Sequence, residues 1–147
     1  MLRDLRFGVR FWHGLRGHAG ILRGAKDILH LCKVNLDTDK PVVVTGHSLG
    51  GGVALPLGVM LAKDGYAITD IVTAGAPKVL SRGFKQFKNT HVRQYIYKGD
   101  PVPRLPFFKL FRRHVNAIQL GKKVSRNWKD HALTNYLYQL KLDGETK

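Results

Sequence analysis

Residues 42–62 constrain the chain more than any other stretch. Val42-Val43-Val44-Thr45-Gly46 is a short β-branched run, which reads as a strand buried on both faces. The largely apolar stretch from Leu49 to Ala62 is long enough for a buried helix. The chain must therefore pass from strand to helix within Gly46-His47-Ser48-Leu49-Gly50. A turn that sharp leaves no room for side chains at its flanks. Gly46 and Gly50 meet that need, and Gly51 and Gly52 let the helix approach closely. Pro56 and Gly58 are expected to kink the helix, and Lys63-Asp64-Gly65 to end it.

On either side the apolar pattern alternates between helical and extended. Ile21, Leu22, Ala25, Ile28, Leu29 and Cys32 recur at three- and four-residue spacing and predict a helix over 18–34. Residues 35–41 are polar and end in Pro41, so they form a loop. Ile68–Thr73 reads as a second buried strand, closed by Ala74-Gly75-Ala76-Pro77, and Val92–Tyr97 as a third. Residues 81–88 suit a short basic helix. Gly99-Asp100-Pro101-Val102-Pro103 is a turn-rich loop, and residues 104–128 read as loop with a strand around Val115–Leu120. Leu133, Tyr136, Leu137 and Leu140 give the apolar stripe of a last helix over 131–142. Strands alternating with helices imply the α/β class, with a mostly parallel sheet flanked by helices in a single domain spanning 1–147.

Composition excludes several alternatives. At 44% apolar residues the chain can bury a core, which argues against extended disorder or a disulfide scaffold. The single cysteine, Cys32, cannot close an intrachain disulfide. No stretch reaches the ~18 apolar residues of a membrane span, and no apolar run follows the early basic residues as in a Sec signal. These features suit a soluble chain, cytoplasmic by default. The net charge of +15 is unevenly spread. Residues 78–129 hold fourteen Lys and Arg and one acid, Asp100, a net of +13. That segment reads equally as a solvated basic face or as a contact for an anionic surface.

The strand–turn–helix context makes Ser48 a candidate nucleophile, because a G-x-S-x-G turn holds the hydroxyl out at the sheet's carboxyl edge. The N–H of Leu49, at the helix start, then faces the place where an oxyanion would form. The plain alternative is a glycine-rich turn with an N-cap serine. A serine nucleophile needs a base, and the base an orienting carboxylate, in the chain order Ser, acid, His. Asp64 and Asp70 flank a crossover at the opposite sheet edge, and Asp143 and Glu145 lie too near the terminus. Asp100 follows the third strand on the same edge as Ser48, although an aspartate before proline is also an ordinary turn former. Of seven histidines, His13, His18, His30, His47 and His91 precede the acid. His131, at the start of the last helix, is the favoured base and His114 the reserve.

Several segments, in order, resemble the class 3 lipases of fungal type. His18-Ala19-Gly20-Ile21-Leu22 is similar to that family's H-x-G-F segment, and Val44-Thr45-Gly46-His47-Ser48-Leu49-Gly50-Gly51 to its elbow. Thr73–Val79 resembles the family's T-F-G-x-P-R-V strand end, Asp100–Pro106 its acid loop, and Asp130–Tyr136 its histidine motif. The resemblance implies an α/β-hydrolase fold and a triad of Ser48, Asp100 and His131. It also implies hydrolysis of lipid carboxylic esters, as a triacylglycerol lipase, phospholipase or esterase, without metal or cofactor. The family's earlier strands and its R-G-T-like oxyanion turn have no counterpart before His18, which implies a minimal or N-terminally truncated version of the fold.

Two classes of function follow. The leading one is a serine ester hydrolase whose partner is a lipid or ester substrate. The other is a non-catalytic protein binding anionic membrane on a degenerate hydrolase scaffold. Phe107, Phe108 and Phe111 interleave with Lys109, Arg112 and Arg113, a pattern that suits the boundary between acyl chains and anionic head groups. Specific nucleic-acid binding has charge in its favour but no motif.

Overall fold

The computed structural model describes residues 8–82, 89–105, 110–113, 117–122 and 127–145. It opens with a hairpin that sequence periodicity does not reveal. Strands β1 (Val9–Trp12) and β2 (Leu15–His18) pair antiparallel, with Trp12 opposite Leu15. His13 and Gly14 both take positive φ, 48° and 74°, as a two-residue hairpin turn demands. Helix α1 (Ala19–Asn35) buries Ile21, Leu22, Ala25 and Leu29. Ile28, assigned to the same face by spacing, is exposed instead.

Strand β3 (Pro41–His47) runs directly into helix α2 (Ser48–Lys63). Strands β4 (Ala67–Ala74) and β5 (Leu80–Arg82) follow, then β6 (His91–Tyr97) and β7 (Ala117–Leu120). A 3-10 turn at Trp128–His131 leads into helix α3 (Leu133–Glu145). The strands β3-β4-β6-β7 form a parallel sheet in that order, and β1-β2-β5 form a separate antiparallel one. The fold is the α/β-hydrolase type, with the sheet flanked by helices.

Helix α2 is apolar on all sides, so it can only be stable as a buried element. It covers β3 and β4, and α1 packs on its other side. Its residues from Ala54 to Leu61 are all buried, and the helix runs unbroken through Pro56 and Gly58. Close packing on both sides holds the helical path despite the backbone bond that Pro56 cannot make.

Other expectations are corrected in detail. β3 is not buried on both faces: α2 covers one, α3 packs on β6 and β7 and not on β3, and Val43 is 56% exposed; among the described strands β3 is the outermost of the parallel sheet. Leu80–Arg82 is a strand pairing with β2, where a basic helix over 81–88 was expected, and residues 83–88 lie outside the described ones. The strand expected around 115–120 occupies 117–120, with 115 and 116 outside the described residues. On α3, Tyr136 is fully buried, whereas Leu133 and Leu137 are exposed. The helix packs on β6 and β7 with the Tyr136 side inward, which leaves the rest of the stripe uncovered.

The hairpin is part of the core, because Leu15 is fully buried and clusters with Leu22, Leu29, Met60 and Leu80. Leu15→Ala is therefore expected to destabilise the chain by about 2–5 kcal/mol. Urea unfolding followed by circular dichroism measures it, and a loss under 1 kcal/mol would mean that the hairpin is peripheral.

Candidate active site

The junction of β3 and α2 fixes Ser48. A Cβ on Gly46 would overlap the Gly50 carbonyl, and one on Gly51 would come within 2.9 Å of the Gly46 carbonyl oxygen. With the backbones this close, Ser48 is driven to φ +56°, a left-handed conformation that a non-glycine residue adopts only when its surroundings enforce it. Ser48 thus stands at the carboxyl end of β3 and the head of α2. That helix has neither a capping side chain nor an acidic residue in its first turn. The positive end of its dipole, including the Leu49 N–H, therefore stays available to a developing negative charge.

Asp100 sits just past β6, where its N–H donates to the Tyr97 carbonyl at 3.0 Å. Its carboxylate is fully buried. Oδ1 accepts the Val102 N–H at 2.8 Å, the turn bond that an aspartate before proline favours. Oδ2 faces His131 Nδ1 at 2.8 Å. The turn-forming and the acid geometry thus coexist, one on each oxygen.

His131 closes the 3-10 turn. The Asn127 side chain caps that turn by accepting the Lys129 N–H at 3.0 Å, and the Asn127 N–H donates to the Gly99 carbonyl at 3.1 Å. The loop carrying the histidine is thereby tied to the loop carrying the aspartate. His131 Nε2 lies 2.6 Å from Ser48 Oγ. With Nδ1–H donating to the carboxylate, Nε2 is left to accept the serine hydroxyl proton.

Two further residues brace this line. His47 stacks on the His131 ring at 4.8 Å between centroids, and its Nε2 is 2.8 Å from the His131 carbonyl oxygen, to which it donates. Gly75 has φ +62°, and a Cβ there would come within 3.0 Å of Asp100 Oδ2 and 3.2 Å of His131 Nδ1. Sequence reasoning counted His47 only as part of the turn and Gly75 only as a strand end. Their position beside the serine and at the end of the neighbouring parallel strand was the available signal.

Two of the carboxylates set aside in the sequence are engaged elsewhere. Asp64 pairs with Lys33 at 2.6 Å and Asp70 with Arg93 at 2.6 Å. His114 lies outside the described residues, as do Phe107, Phe108 and Lys109. Phe111 is buried near the His18 ring, so it faces no membrane. Arg113 donates to the Gln94 Oε1 and the Pro103 carbonyl, and burial lowers its pKa.

Comparison with known proteins identifies the class. The profile of the lipase (class 3) family matches residues 11–110, more than half of the chain, and the chain belongs to that family. It is 35% identical over 108 residues to secreted mono- and diacylglycerol lipase 1 of Fusarium solani, covering 67% of this chain and 32% of that protein. It is 35% identical over 100 residues to the chloroplastic phospholipase A1 PLIP2 of Arabidopsis thaliana, covering 62% of this chain and 14% of that protein. The crystal structure of Lip2 lipase from Yarrowia lipolytica shares its fold with a TM-score of 0.67 at 22% identity, over 82% of this chain and 52% of that one. The chain spans about a third or less of the length of these two curated relatives. Among the described residues no helix is long and apolar enough to cross a membrane. The default cytoplasmic placement draws no support from relatives named as secreted and as chloroplastic.

Gly75→Ala tests how tightly the site is packed. The added methyl must displace the Asp100–His131 pair and also occupies a strained φ. The variant is expected to lose at least tenfold in the rate of Ser48 labelling by a fluorophosphonate. A labelling rate equal to the parent's would show that the pair has slack.

Proposed function

We propose that this chain is a serine hydrolase unit that cleaves lipid carboxylic esters, with Ser48 as nucleophile, His131 as base and Asp100 as its orienting acid. One observation carries the reading. Ser48 Oγ, His131 and Asp100 stand in an unbroken hydrogen-bond line, with steps of 2.6 and 2.8 Å, at the head of an uncapped buried helix. Membership of the class 3 lipase family supports ester chemistry. The names of the relatives, mono- and diacylglycerol lipase and phospholipase A1, support a lipid acyl ester as substrate.

The steps follow from the geometry. Ser48 Oγ attacks the ester carbonyl carbon as His131 Nε2 takes its proton. The buried Asp100 carboxylate stabilises the imidazolium that results. The tetrahedral oxyanion meets the Leu49 N–H and the α2 dipole, a kind of donor worth roughly 10²–10³ in rate. His131 then gives its proton to the departing alcohol, leaving an acyl ester on Ser48. Water, deprotonated by the same histidine, releases the carboxylic acid and restores the serine.

Ser48→Ala is expected to lower p-nitrophenyl ester hydrolysis by about 10⁶-fold without changing the fold. Activity within tenfold of the parent removes the mechanism. Failure of the parent to hydrolyse the ester and to label with a fluorophosphonate would favour the non-catalytic membrane-binding alternative.

Contact with an anionic lipid surface is the finer part of the proposal. Leu49, Trp128 and Leu133 flank the Ser48–His131 pair and are exposed, Trp128 by 66%. We infer that they form an apolar rim for a lipid surface, with the basic residues of the segment 78–129 supplying attraction to anionic head groups. Turnover on mixed vesicles is expected to rise with the anionic fraction. It should fall as salt shortens the ~10 Å screening length. Rates indifferent to both leave the esterase reading in place and remove the membrane contact.

A further inference from the structure

Tyr136 is fully buried on α3 and has no part in the steps above. Its hydroxyl donates to Asp100 Oδ2 at 2.6 Å, on the same oxygen that accepts the His131 Nδ1–H at 2.8 Å. Among the described residues Asp100 therefore has three donors, namely Val102 N–H on Oδ1 and His131 and Tyr136 on Oδ2. We infer that Tyr136 is a positioning residue for the triad. Its hydroxyl fixes which carboxylate oxygen faces His131 and limits how strongly that oxygen draws the imidazole proton. The inference rests on the proposed hydrolase reading for its catalytic meaning, but its geometry stands apart from it.

The surroundings keep the phenol in the donating form. Burial first, and then the Asp100 bond, push the Tyr136 pKa well above the ordinary tyrosine range. The His47 ring meets Tyr136 edge-on at 5.9 Å and the Tyr97 ring at 6.4 Å. The Tyr97 backbone hydrogen-bonds its oxygen, and the Arg113 guanidinium contributes an opposing electrostatic effect. None of these replaces the hydroxyl at Oδ2.

Removing a donor from a carboxylate makes it a stronger base, so a histidine bonded to it holds its proton to higher pH. Tyr136→Phe keeps the buried ring and deletes only that donor. The rate of Ser48 labelling by a fluorophosphonate is expected to fall several-fold. The acid limb of its pH profile should move up by about half a unit or more. The same upward displacement is expected in the NMR titration of the His131 ring, a readout that needs no catalysis. Leu140→Ala, one turn further along α3, loosens the helix without touching Asp100 and should lower stability while leaving the acid limb in place.

An unmoved His131 titration in Tyr136→Phe overturns the inference and leaves Tyr136 a core residue. A parent chain that does not label at all overturns the hydrolase reading instead, and the titration still decides the role of Tyr136. If the phenylalanine variant does not fold, the chain is made with 3-fluorotyrosine, a stronger donor of the same shape. The titration should then move down, and an unmoved one overturns the inference equally.

Discussion

The contact of β3 with α2 through bare backbone is the constraint on which the site depends. Helix α2 is apolar on every side, and only burial against the sheet makes it stable. Burial at that distance leaves no space for a side chain at Gly46 or Gly51. The chain reverses within one residue, and Ser48 takes the strained φ of +56° as a consequence. The strain costs of order 1–3 kcal/mol and is offset by the apolar surface that α2 removes from water. Packing and chemistry are coupled here, since the contact that buries the helix also presents the hydroxyl and leaves the helix N-terminus uncovered.

A second constraint is the burial of Asp100. A fully buried carboxylate is unfavourable unless its oxygens are satisfied. Three donors from three different parts of the chain meet that demand, namely the turn backbone, the 3-10 turn and α3. Each donor is thereby held in place. The aspartate acts as a fastener for the loop that carries His131, and Gly75 lets the strand beneath it come close enough to close the cluster.

Much of this was legible in the sequence, for physical reasons. The strand before Ser48 and the helix after it have local periodicity strong enough to survive any tertiary context, and their junction forces a turn. Asp100 could be singled out because it follows a strand on the correct edge, and His131 because it falls after that acid. The hairpin Val9–His18 was not legible. Its strands are four residues long and mix Arg, Gly and His with apolar positions, so their alternation is hidden, and the His13-Gly14 turn was the only signal. The open face of β3 was also out of reach, because a valine run looks the same in a strand covered on both faces as in one covered on one. The exposure of Leu133 and Leu137 follows from where α3 lies on the sheet, which its own stripe does not specify.

The gathering of distant residues is then a matter of strand direction. Ser48 and His131 are 83 positions apart and Asp100 and His131 31 apart, yet each pair is in hydrogen-bond contact. Strands β3, β4 and β6 are parallel neighbours, so their carboxyl ends share one edge. The residues just beyond each strand are held at that edge. β3 delivers Ser48, β4 delivers Gly75 and the turn after β6 delivers Asp100. An antiparallel arrangement of the same strands would send one of the three to the far side. Only the histidine arrives without a strand, and it is the residue with the most local bracing. The Asn127 cap, the bond to Gly99 and the stacked His47 ring all act within a few residues of it in space. Where the sheet does not set the position, short-range hydrogen bonds do, and a histidine carried on a loop reaches the fixed serine because of them.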